Sequence, residues 1–272
     1  MDAQDSGFDY KTPTQTIKTK HQTNNKQQTT NHKHFYMKKL LLVLLVLSVT
    51  VKAQVPSYVP TNGLVAYYPF NGNANDESGN GNNCNVQNGT RIDTGRNSSL
   101  NSSYYFDGVD DRMQSITSFF NASNDFSISL WCKSSSFQQN QTIFNTTPHT
   151  IITLSYNYFL HSQGDLMLLY GNGQFSGWYN IGGGVFTPQT SLQNIWNNIV
   201  LTKSNGTFSV YENGIILNSV SITQNPASTL SKINLGNCDP TSCSEIFNGY
   251  LDDIRIYNRA LSASEVAYLA AH

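Results

Sequence analysis

The sequence predicts an all-β protein: a two-sheet antiparallel sandwich with one short helix at its C-terminal end. Short runs of aliphatic, aromatic and β-branched residues recur from Ser57 onward, and Asn-Gly, Asn-Asp and Gly-Asn-Gly turn formers separate them. One helix start is legible. Ser262 stands as N-cap and Glu265 three positions on, a capping box, with Val266, Leu269 and Ala270 on one face. A series of strands with a single terminal helix packs as two sheets face to face.

Taken in order, the chain opens with residues 1–36, rich in Gln, Thr, Asn, Lys and His and almost without aliphatic side chains. Such a segment buries too little to offset the entropy of ordering it, so it is read as a disordered extension. Met37-Lys38-Lys39 is then a basic patch, followed by apolar Leu40–Leu47 and by Val51-Lys52-Ala53, which has small residues where a signal peptidase reads. Residues 37–53 have the layout of a secretory signal peptide, since the apolar run is too short to span a bilayer. A signal of this kind begins at an N-terminus. Met37 is therefore read as the start, and residues 1–36 as lying outside the product. The competing reading is an N-terminal membrane anchor with a cytoplasmic tail. In both, residues 54–272 form one exported domain, secreted or at the cell surface, with no membrane span.

The exported part carries eight Lys and Arg against fourteen Asp and Glu, a net charge near −6. That argues against nucleic acid, whose phosphates need a basic surface. Cys84, Cys132, Cys238 and Cys243 all follow the signal, in a compartment that permits disulfides. Cys238-Asp-Pro-Thr-Ser-Cys243 is a tight loop able to close on itself, and that bridge is expected; a Cys84–Cys132 pair follows only by elimination.

The expected strands are Leu64–Tyr68, Ser103–Phe106, Arg112–Ile116, Phe126–Lys133, Thr150–Tyr156, Leu166–Tyr170, Trp196–Lys203, Thr207–Glu212, Ile215–Val220, Leu230–Leu235 and Tyr250–Tyr257. Asn205-Gly206 and Asn213-Gly214 make residues 196–220 a three-stranded meander. The stretch Asp107-Gly108-Val109-Asp110-Asp111 reads as an acidic hairpin turn, with a second cation or a ligand-contacting loop as the alternative.

In the last strand a period of two puts Asp252, Ile254 and Ile256 on one face and Leu251, Asp253, Arg255 and Tyr257 on the other. Whichever face turns inward carries a carboxylate, which needs an Arg, backbone N–H groups or a cation beside it. The loop Asn71-Gly-Asn-Ala-Asn-Asp76-Glu-Ser-Gly-Asn-Gly81 offers the oxygens a calcium ion requires, without the spacing of an EF-hand. The expected ligands are Asp76, Asn71 or Asn73, and Asp252 or Asp253. The competing account is an Asx-rich turn that satisfies its own backbone, with Asp252 paired to an Arg.

These residues also carry a resemblance. Residues 249–266, G-Y-L-D-D-I-R-I-Y-N-R-A-L-S-A-S-E-V, together with Gly63–Asp76, Ser78–Gly81, Tyr105–Asp111 and Trp196 with Tyr211–Gly214, resemble the laminin-G-like, concanavalin-A-like lectin/glucanase jelly rolls of secreted bacterial proteins. The match spreads over about residues 60–272. The resemblance implies a jelly-roll fold, strengthens the expectation of a structural calcium ion, and points to lectin-like recognition.

Aromatic placement suggests what is bound. Along Phe126–Cys132 the apolar face holds Phe126, Ile128, Leu130 and Cys132, leaving Trp131 with Ser127 and Ser129 on the other. Trp131 is thus a candidate sugar platform unless a loop covers it. Trp178-Tyr179, set among glycines, is the better candidate, and Trp196 is expected in the core. No Glu-x-Asp-x-x-Glu run and no Gly-x-Ser-x-Gly elbow occurs, and the four glutamates after the signal stand singly. The chain is therefore expected to be a non-catalytic recognition module for a glycan or glycosylated surface. The alternatives are a structural or adhesive surface protein that binds another extracellular protein, and a glycan-cleaving enzyme.

Overall fold

The computed structural model describes residues 27–39, 55–136, 141–147, 152–157, 165–170, 178–180, 193–221, 230–237 and 246–272. The chain divides into two compact units, Met1–Val51 and Lys52–His272. In the first, a helix (α1) runs over residues 27–39 with every position exposed. The composition of residues 27–36 by itself predicts no structure there. Contacts one turn apart support the helix locally: His32 stacks on Tyr36 and the Lys39 ammonium lies 4.7 Å from the Phe35 ring. No described helix is long and apolar enough to cross a membrane.

The second unit is the predicted sandwich. Its strands are β1 (Leu64–Tyr68), β2 (Cys84–Gln87), β3 (Arg91–Asp93), β4 (Ser103–Asp107), β5 (Arg112–Ser115), β6 (Phe126–Ser134), β7 (Gln141–Thr147), β8 (Ile152–Asn157), β9 (Asp165–Tyr170), β10 (Trp178–Asn180), β11 (Asn197–Ser204), β12 (Thr207–Glu212), β13 (Ile215–Ser221), β14 (Lys232–Leu235) and β15 (Asn248–Tyr257). The helix α2 (Ala263–Ala271) follows, with the capping box of Ser262 and Glu265 in place. One sheet has the order β13-β12-β11-β6-β15-β4-β3, with β1 also on β15; the other has the order β10-β9-β8-β7-β14-β5-β2. Their ladders are antiparallel. The meander β11-β12-β13 turns on Asn205-Gly206 and Asn213-Gly214, all four residues at positive φ as such hairpins require.

Four strands escaped the sequence reading: β2, β3, β7 and β10. All but β7 have only three or four residues, too few to establish a period, and β7 is rich in Asn, Gln and Thr. The acidic turn is also not a hairpin. β4 and β5 lie in different sheets, so residues 108–111 carry the chain from one layer to the other.

Alternation decides the core. Ile128, Leu130 and Cys132 of β6, Ile199 and Leu201 of β11, and Phe208 and Val210 of β12 point between the sheets and meet Met113, Phe144, Ile233 and Leu235 from the second. Each such side chain, fully buried, contributes on the order of 1.5–3 kcal/mol. The opposite phase gives a smaller cluster on the outer face of the first sheet, where Val200, Tyr211 and Tyr257 meet Leu261, Val266 and Leu269 under α2. Cys84 and Cys132 are both buried in the main core as thiols and do not form a disulfide. Burial pushes the Cys84 thiol up to about 12, so it stays protonated. Cys238 and Cys243 lie outside the described residues.

The last strand departs from its expected alternation. Leu251, Ile254 and Ile256 all enter the main core, so Leu251 and Ile254 share a face although they are three positions apart. A β-bulge explains this. Asp252 pairs with Trp131 and Arg255 with Ser129, which leaves Asp253 and Ile254 opposite the single residue Leu130. Asp253 takes φ +48° at that point. On its other side β15 changes partner at the same place, from β4 (Leu251 opposite Tyr104) to β1 (Ile254 opposite Tyr68). The sheet therefore has an interruption beside Asp252 and Asp253.

Candidate functional site

The interruption beside β15 is filled by side chains. Asp252 and Asp253 are 5% and 6% exposed, so both carboxylates need partners. For Asp253 these are charged. Arg96, from the loop after β3, donates from Nη2 at 2.6 Å and from Nε at 3.2 Å to Oδ2. Arg255 Nη2 lies 3.2 Å from Oδ1, and the Tyr67 hydroxyl donates to the same oxygen at 3.0 Å. Arg255 is itself fully buried, with the Tyr67 and Tyr58 rings beside its guanidinium at 5.2 and 5.7 Å.

Asp252 accepts the backbone N–H of Arg96 at 3.2 Å. Burial, reinforced by the charge of Asp253, raises its pKa to about 7. A pocket of about 150 Å³ opens over the pair, lined by Tyr58, Tyr67, Asn71, Arg96, Asn97, Ser99, Ser102, Asp252 and Asp253, with Pro56 and Pro69.

The structure thus brings together three of the residues singled out from sequence, Asn71, Asp252 and Asp253. Asp76 and Asn73 do not line the pocket. Asp76 Oδ1 accepts the N–H groups of Tyr67 and Ser78, and Oδ2 that of Asn82, all at 2.9 Å, while Asn73 Oδ1 accepts the Asn75 N–H at 2.8 Å in an Asx turn. Tyr67 connects the two places, since its backbone serves Asp76 and its hydroxyl serves Asp253.

For a calcium ion the five expected ligands therefore divide. Two guanidiniums stand against Asp253, which does not fit a cation at that carboxylate. Asp252 and Asn71, on the wall of the pocket, offer two oxygen-bearing side chains toward the roughly six to eight oxygens such an ion takes, beside the Arg96 guanidinium.

The aromatic candidates also separate. Trp131 lies on the outer face as expected, but the Arg96 guanidinium sits over its ring at 4.6 Å. Trp178 and Tyr179 belong to β10, an edge strand of the second sheet rather than a loop, paired with Leu169 and Leu168. Trp196, expected in the core, is only half-buried and lies 6.2 Å from the Tyr250 ring. Sequence reasoning missed Arg96 and Tyr67. The demand for an Arg, backbone N–H groups or a cation beside a buried carboxylate is readable, but no local pattern marks which residue answers it.

The acidic turn brings carboxylate oxygens of Asp107, Asp110 and Asp111 within 4.8 Å of one another. Asp111 is 2% exposed, and its Oδ2 accepts the Asp107 N–H at 2.9 Å. Burial raises its pKa.

Comparison with known structures agrees with this architecture. The chain resembles domain 4 of AbnA, a GH43 extracellular arabinanase from Geobacillus stearothermophilus solved with arabinotriose, at 23% identity and a TM-score of 0.59, covering 76% of this chain and 98% of that one. It also resembles the ligand binding domain of botulinum neurotoxin serotype D solved with N-acetylneuraminic acid, at 16% identity and a TM-score of 0.58, covering 78% and 51%. A third resemblance is to the binding domain of botulinum neurotoxin DC solved with rat synaptotagmin II, at 16% identity and a TM-score of 0.61, covering 78% and 52%. No curated protein matches the chain in sequence. Residues 107–267 match the Laminin_G_3 family, and with over half its length inside that match the chain belongs to the concanavalin A-like lectin/glucanases superfamily.

Proposed function

We propose that the chain is an exported, non-catalytic recognition module that binds carbohydrate at the pocket beside β15. The observation that carries this reading is the pocket itself. Asp252, Asn71, Ser99 and Ser102 place hydrogen-bonding side chains on a concave wall, with the Tyr58 and Tyr67 rings beside them. A concave wall lined mainly by polar groups, with a tyrosine at its side, suits a small polar ligand such as a sugar. The similar solved domains, one of them held with arabinotriose, support the substrate class by analogy of fold. Calcium enters this reading through Asp252 and Asn71, where an ion would hold the Asn71 loop against β15.

Glycan-array binding with and without chelator, beside the Asp252→Ala variant, tests the proposal. Saccharide binding that the variant loses is the expected result. A melting temperature lowered by chelator is expected if calcium is bound, and an unchanged one removes the ion. Binding of proteins but of no saccharide would overturn the reading in favour of an adhesive protein. Release of reducing sugar from any polysaccharide would overturn its non-catalytic part.

A further inference from the structure

The outer face of the first sheet is covered unevenly. At one end α2 buries Val200, Tyr211 and Tyr257. At the other end, four side chains stand in one line across four strands. Arg91 of β3 is the cross-strand partner of Tyr105 of β4, Tyr105 of Tyr250 of β15, and Tyr250 of Lys133 of β6. Trp196 extends the line by one strand, because it immediately precedes Asn197, the partner of Cys132. Five positions at the usual strand spacing span roughly 19 Å.

The contacts follow the register. The Arg91 guanidinium lies 4.3 Å from the Tyr105 ring, and the Tyr105 and Tyr250 rings are 4.9 Å apart. The Lys133 ammonium is 4.0 Å from the Tyr250 ring and 5.2 Å from the Trp196 ring. All three aromatic side chains are half-buried, as is Lys133, and Arg91 is exposed.

We infer that this row is a binding platform for an extended saccharide chain that carries carboxylates. The three rings are partly exposed and in line, each with a cation over one face, so the row offers its remaining ring faces and edges for successive sugar rings to lie along. The charges choose the kind of sugar. Arg91 has a carboxylate 3.9 Å away on Asp93, so that pair is neutral as a unit. Lys133 has aromatic rings as its neighbours and, among the described residues, no carboxylate, so an anionic group on a ligand would complete it. The exported part as a whole is acidic, so retention of a polyanion would come from this row and not from general attraction.

This inference rests on the carbohydrate-recognition reading but places the ligand along the row through Tyr250, two positions from Asp252 on the same face of β15, rather than in the pocket, and the experiment separates the two. Calorimetry would use hexagalacturonate as the acidic chain, cellohexaose as the neutral chain and sialyllactose as a single-ended carboxylated sugar. The wild type should bind hexagalacturonate most tightly. Trp196→Ala and Tyr250→Ala should each weaken it about tenfold, and Lys133→Gln should abolish the preference over cellohexaose. Lys133→Gln removes charge and keeps most of the side chain, so it remains informative if an aromatic variant fails to fold. Hexagalacturonate binding unchanged in all three variants overturns the platform and leaves the pocket reading standing. Equal affinity for the acidic and neutral chains overturns the carboxylate assignment, and a preference for sialyllactose overturns the extended chain. Wild-type protein that binds no saccharide overturns both readings.

Discussion

Arg96 and Asp253, 157 positions apart, meet at 2.6 Å where β15 changes neighbours, with both side chains 9% exposed. The contact ties the loop after β3 to the bulge, and Arg96 Nη2 also donates to the His272 carbonyl at 2.6 Å. Arg96→Ala leaves a buried carboxylate with Arg255 and the Tyr67 hydroxyl alone. A loss of about 3 kcal/mol in unfolding free energy is expected, at the lower end for breaking a buried pair because Arg255 remains. Urea denaturation measures it. A loss within the error of the method would show that Arg96 is dispensable to the bulge.

Asp252 makes stability depend on pH. Its folded pKa is about 7, against roughly 3.9 for an unfolded aspartate. Between those values the folded state holds a proton that the unfolded state has released. Stability therefore falls as pH rises from about 4 to about 7, by at most about 1.4 kcal/mol per unit, and levels off above that. Glu265 acts with the opposite sign: its hydrogen bond to Arg259 lowers its pKa to about 2, so its contribution is lost only as the solution becomes strongly acidic. The urea midpoint should thus decline from about pH 5 to about pH 7, and Asp252→Asn should flatten that decline while stabilising the protein at alkaline pH. A variant with the same slope as the wild type would assign the proton to another group.

Gly95 leaves room for the loop that carries Arg96. A Cβ there would lie 2.3 Å from Ser102 Oγ, 2.8 Å from the Ser102 carbonyl and 2.9 Å from Asp252 Oδ2. The carbonyl is backbone and cannot swing aside, so Gly95→Ala forces the loop away from β15. A cost of about 1–3 kcal/mol is expected, as for overpacking of a filled site. The same variant should weaken saccharide binding at the pocket. Unaltered stability would mean that the loop moves freely.

Much of the architecture was legible because it depends on neighbours in sequence. Asn205-Gly206 and Asn213-Gly214 fix hairpins through their own positive φ, and Ser262 with Glu265 caps α2 within one turn. That one of Asp252 and Asp253 turns inward and needs an Arg, backbone N–H groups or a cation beside it could also be anticipated from the alternation of the strand; that both are buried could not.

What the sequence determined by itself is therefore the all-β class, the family, the meander, the terminal helix and the demand for a partner beside whichever of Asp252 and Asp253 turns inward. Tertiary structure alone decided that the bulge puts Leu251 and Ile254 on one face, that Arg96 answers Asp253, and that Arg91, Tyr105, Tyr250, Lys133 and Trp196 align. Register explains the division. A turn or cap is satisfied within a few residues, whereas cross-strand neighbours are set by which strands lie side by side, and a single extra residue in one strand reassigns every face beyond it.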